Sequence, residues 1–89
     1  MIKRQHLREV ILLQLEAAAP AFLPVDTLRT GIRHAGHEIT DRILRRELAY
    51  LDDKKLIDSA LPDLDPADKR YRLAAQGQDF LDANGLSES

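Results

Sequence analysis

At Lys55 the spacing of apolar residues changes, and that change limits the folds open to this chain. Before it, apolar side chains recur every three or four positions, the period of an amphipathic helix. After it they alternate with polar ones, the period of a strand. A helical first part joined to an extended second part within 89 residues leaves room for one domain with a single modest core. The class expected is mainly α with a small β-hairpin (α+β), over residues 1–85, with a frayed tail at 86–89. Only 4% of the residues are aromatic, so aliphatic side chains, chiefly Leu, must fill the interior.

From Lys3 to Ala18 the residues Leu7, Ile11, Leu15 and Ala18 form one stripe, widened by Val10, and Pro20 ends this first helix. Leu23 to Val25 is extended, since a residue before Pro is kept out of the helical region, and can be a very short strand. Asp26 or Thr27 is placed to cap a second helix with the stripe Leu28, Ile32 and Ala35, ending at Gly36. After a turn, Thr40 can cap a third helix that runs to Lys54. It buries Ile43 or Leu44, with Leu48 and Leu51, and turns Arg42, Arg45, Arg46 and Ala49 outward.

Lys55 is expected in a left-handed or otherwise unfavourable conformation, because Leu56 must turn at once into a strand. Leu56 to Ala60 and Lys69 to Leu73 read as a hairpin whose tip is too rich in Pro and Asp to pair. Phe80, Leu81 and Ala83 mark a last helix from Ala75, ended at Asn84-Gly85. Leu48, Leu51, Leu73 and Phe80 should share one core.

The formal charge of −2 argues against a protein that coats nucleic acid indiscriminately, but the charge is unevenly spread. Residues 1–55 hold ten Lys/Arg against eight Asp/Glu, and residues 56–89 hold three against seven. Affinity for phosphate therefore belongs to the first part. The absence of Cys removes disulfides and thiolate metal sites and fits a reducing, cytoplasmic setting. The apolar run Val10 to Leu13 is broken by Gln14 and Glu16, which suits neither a signal peptide nor a membrane span.

Catalytic chemistry finds no support in the residues. His34 and His37 straddle Gly36 without a third ligand for zinc. Asp63, Asp65 and Asp68 lack the Gly and distal Glu of a calcium loop, and neither a phosphate-cradling Gly loop nor a nucleophile elbow is present. A non-enzymatic protein without cofactor or metal is expected.

The order of elements, and the runs Leu48-Ala49-Tyr50-Leu51-Asp52-Asp53-Lys54-Lys55-Leu56-Ile57 and Lys69-Arg70-Tyr71-Arg72-Leu73-Ala74-Ala75-Gln76-Gly77-Gln78-Asp79-Phe80-Leu81, resemble the winged helix-turn-helix family of small bacterial and phage transcription regulators. The resemblance covers about residues 5 to 83, and the second run is similar to the family's Tyr-x-Leu-Thr-x-x-Gly approach to its last helix. It implies a regulator of transcription whose helix 40–54 enters the major groove of double-stranded DNA while the Ala60 to Lys69 wing lies near the backbone.

Arg42, Arg45 and Arg46 suit phosphate and the guanine edge, and Thr40 adds a phosphate contact or a cap. Two departures from the family stand out. Lys55 replaces a frequent Gly, and Asp63, Asp65 and Asp68 make the wing tip acidic. Those carboxylates repel phosphates, so wing contact falls to Lys69, Arg70 or Arg72. A homodimer joined through the first or last helix would supply paired half-sites. Two alternatives stay open: that the arginines are solvated charges offset by Asp41 and Glu47, and that the chain is a protein–protein interaction module whose acidic wing meets a basic partner.

Overall fold

A computed structural model of the chain describes residues 2–61 and 69–88. Helix α1 (Arg4–Ala18) is followed by strand β1 (Leu23–Pro24), helix α2 (Val25–His34), helix α3 (Asp41–Asp53), strands β2 (Ile57–Ala60) and β3 (Arg70–Leu73), and helix α4 (Ala75–Ala83). The strands form an antiparallel sheet in the order β1-β3-β2. This is the α+β winged-helix architecture, with α2 and α3 as its helix-turn-helix.

The core lies between the sheet and the helices. Leu7, Ile11, Leu12 and Leu15 of α1 meet Leu28 and Ile32 of α2, Leu44, Leu48 and Leu51 of α3, Ile57, Tyr71 and Leu81. Leu73 and Phe80 are half-buried against it, so the four residues expected to share a core do so from its centre and its margin. Leu44 rather than Ile43 takes the central position, and Ile43 is half-buried. Leu12 enlarges the buried stripe of α1 beyond the expected positions.

Several local expectations are corrected. Helix α2 starts at Val25, with Pro24 before it and no side-chain cap, so Asp26 sits in its first turn instead of capping it. Val25 is thereby drawn into the core, and Ala35, one residue past the helix, is exposed. The short strand is not isolated from the hairpin. Leu23 pairs with Tyr71 and Pro24 with Arg70, and Pro24 is tolerated because β1 lies at the sheet edge. Beyond α4, Ser87 donates to Glu16 Oε2 at 2.6 Å and the Glu88 backbone N–H to Oε1 at 2.9 Å. Gln78 also donates to Glu16, at 2.7 Å, so one buried carboxylate ties α1 to α4 and the chain end.

Three helices end alike. In each, the residue two past the cap donates to the carbonyl three residues inside the helix: His37 to Ile32, Leu56 to Leu51, and Leu86 to Leu81, at 2.8 to 3.2 Å. This motif needs a positive φ between them, supplied by Gly36, Lys55 and Gly85. Lys55, at φ 61, takes the left-handed conformation expected of it. It turns the chain directly from α3 into β2. The Leu56 carbonyl then accepts from Ala74 N–H at 3.1 Å and rests on Gly77, where a Cβ would collide with it. That contact fixes where α4 starts against the sheet.

Candidate nucleic-acid interface

Helix α3 carries three outward arginines. Its capping Thr40 hydroxyl accepts from the Ile43 amide at 3.2 Å, satisfying one free N–H of the first turn. Leu44, Glu47, Leu48 and Leu51 face inward, so the helical period turns Arg42, Arg45, Arg46 and Ala49 to the other side, where all four are exposed. None of the three arginines makes a salt bridge with a described residue.

The two carboxylates that could offset them within the helix are engaged elsewhere. Asp41 accepts from Arg29 of α2 at 2.6 Å. Glu47 is 1% exposed and points into the protein, paired with Arg4 at 3.1 Å and Arg8 at 3.2 Å, both on α1. Arg8 also lies over the Tyr50 ring, 3.6 Å from its centre, so one guanidinium grips α3 at two successive turns. The alternative in which Glu47 offsets the arginines along the helix does not fit this inward pairing. The signal for the inward position was present: Glu47 falls in the Leu44-Leu48-Leu51 stripe, and Arg4 and Arg8 lie four apart on one helix.

On the opposite flank α3 meets the hairpin. Ser59 of β2 donates to Asp52 at 3.2 Å, and Tyr71 of β3 is buried beside it. Burial pushes the Tyr71 phenol above its ordinary value, the Arg45 guanidinium opposes that, and Asp52 adds to it. Lys69 lies on the same ring, with Nζ 5.7 Å from its centre. Lys69 thus shares Tyr71 with α3, whose Arg45 acts on the same phenol. Arg70, exposed, is next along β3 and so points to the other face of the sheet. Arg72 shares that face, bound to Asp58 at 3.3 Å and lying over Phe22 at 4.8 Å. Of the expected wing cations the structure therefore gathers Lys69 with α3, and not Arg70 or Arg72. The acidic positions Asp63, Asp65 and Asp68 lie outside the described residues.

His34 is exposed, and His37 packs edge-on against His6, with ring centres 5.4 Å apart. Among the described residues no three His, Cys, Asp or Glu side chains gather as a metal-binding group. No described helix is long and apolar enough to cross a membrane.

No protein-family model and no curated protein matches the chain. Among solved structures, a PadR family transcription regulator from Clostridium difficile resembles it with a TM-score of 0.65 and 18% identity, over 85% of this chain and 82% of the other. At that identity the likeness is one of fold.

Proposed function

We propose that this protein is a DNA-binding winged-helix regulator of transcription, in which α3 enters the major groove and Thr40, Arg42, Arg45, Arg46 and Lys69 supply the contacts. The observation that carries the reading is the outward face of α3: three arginines without a described salt-bridge partner, on a helix whose carboxylates Asp41 and Glu47 are drawn off by α2 and α1. Cations left unneutralised on one helix face provide the positive potential that phosphate binding needs. The fold shared with a transcription regulator supports the same assignment.

The reading extends to a cytoplasmic homodimer of bacterial or phage type, because a domain of 89 residues touches few base pairs and a second copy doubles them. It assigns no enzymatic activity. It takes residues 1–85 as the domain that carries the function.

The test is fluorescence anisotropy of a mixed duplex DNA pool, titrated with the full chain at several salt concentrations. Binding should weaken with salt, and Arg45→Ala with Arg46→Ala should lower affinity and flatten the salt slope by roughly one to two. Absence of binding at the lowest salt would end the DNA reading.

A further inference from the structure

The three arginines of α3 do not occupy equivalent lines on the helix. Seven residues bring a helix almost back to the same direction, so Arg45 lies on the flank of Asp52, and Asp52 is held by Ser59 of the hairpin. Arg45 therefore sits on the hairpin side, beside the Tyr71 that also carries Lys69. Arg42 and Arg46, four apart, lie on the line directly opposite the buried Leu44-Leu48 stripe. Exposed Ala49 continues that line one turn on, and its single methyl lets the helix sit deep. Exposed Asp53 closes it, since a carboxylate is repelled by phosphates. Contact is thereby confined to the first two turns, which rise about 10 Å, roughly three base-pair steps.

Within those turns the outermost line offers no Asn or Gln, the side chains that pair with adenine, and no acid for cytosine. It offers two guanidiniums, which match the O6 and N7 acceptors of guanine. Resting on the DNA reading above, we infer that the protein selects guanine-containing half-sites, with Arg42 and Arg46 each reading a guanine in the major groove. Arg45 and Lys69 instead hold the adjacent phosphates at the base of the wing. Base selectivity and backbone affinity are thus divided between two lines of one helix.

The experiment uses the full chain and a random-sequence duplex pool. Selected duplexes should contain guanines, and replacing these one at a time with 7-deazaguanine, which lacks N7, should weaken binding roughly fivefold or more at two positions of each half-site. Arg42→Ala and Arg46→Ala should each remove the penalty at one of the two. Arg45→Ala should weaken the normal and the 7-deaza duplexes equally and lower the salt slope by about one. The inference is overturned, with DNA binding intact, by selected sites lacking guanine, by an absent 7-deaza penalty, or by a penalty that vanishes in Arg45→Ala. A pool that does not bind at low salt overturns the DNA reading and this inference together.

Discussion

Replacing Lys55 by Gly should stabilise the protein. Lys55 sits at φ 61, where the Cβ of an L-residue crowds the following carbonyl at a cost of roughly 1–2 kcal/mol. Its side chain is exposed and has no hydrogen bond or ion pair with a described residue, so little is lost with it. Glycine removes the crowding but brings extra freedom to the unfolded chain, which takes back roughly 0.5–1 kcal/mol. The balance is a gain of about 0.5–1 kcal/mol, or about 2–8 °C in melting temperature for a domain of this size.

Thermal unfolding followed by circular dichroism reads that directly, with Lys54→Gly as the control. Lys54 has φ −80 and ψ −2, an ordinary helical conformation with no crowding to relieve. Its replacement should therefore lower stability by roughly 0.5–1 kcal/mol. If both variants lose stability alike, the left-handed strain assigned to Lys55 is absent and the account of this turn is wrong.

Glu47→Gln should lower stability by roughly 1–3 kcal/mol in urea unfolding, because it withdraws a buried charge from the half-buried Arg8 guanidinium. Asp41→Asn, which breaks a pair about two-fifths exposed, should cost under about 1 kcal/mol by the same measurement. Gly77→Ala should cost roughly 1–3 kcal/mol, since the added methyl meets the Leu56 backbone rather than a side chain that could swing away; an unchanged melting curve would refute that contact. The raised Tyr71 phenol contributes stability that is complete below its ordinary value of 10.0 and is lost as pH climbs toward the higher folded value. Tyr71→Phe should therefore flatten the decline in stability above about pH 10, and an identical alkaline profile would count against it.

The features legible in the sequence are those decided within a few residues. Helix periods, the Thr40 cap and the left-handed Lys55 depend on neighbours at most four or five positions away, and the structure has all three. The start of α2 was misplaced because Asp26 and Thr27 are good caps in isolation. The burial of Val25 and the pairing of Leu23-Pro24 with β3 override them. A two-residue strand has no periodicity to detect, so its place in the sheet could come only from its partner 46 to 48 positions on. The inward position of Glu47 is legible in the α3 stripe, but its pairing with Arg4 and Arg8 is not, because they are far away in sequence.

Glu47 also explains how a chain of net charge −2 can present exposed arginines together on one helix face. A carboxylate acts on a neighbouring guanidinium through distance and intervening medium, so the formal sum over the chain says little about one face. Glu47 lies on the inward side of α3 with Leu44, Leu48 and Leu51, away from the exposed arginines. Folded inward, it draws Arg4 and Arg8 from α1 instead and uses their charge to seat the helix. Asp41 likewise turns to Arg29 on the helix before it. The same two carboxylates therefore tie α3 to α1 and α2 and leave Arg42, Arg45 and Arg46 without a salt bridge to a described residue. The exposed positive face of α3 follows from where its acids are bound, not from an excess of bases.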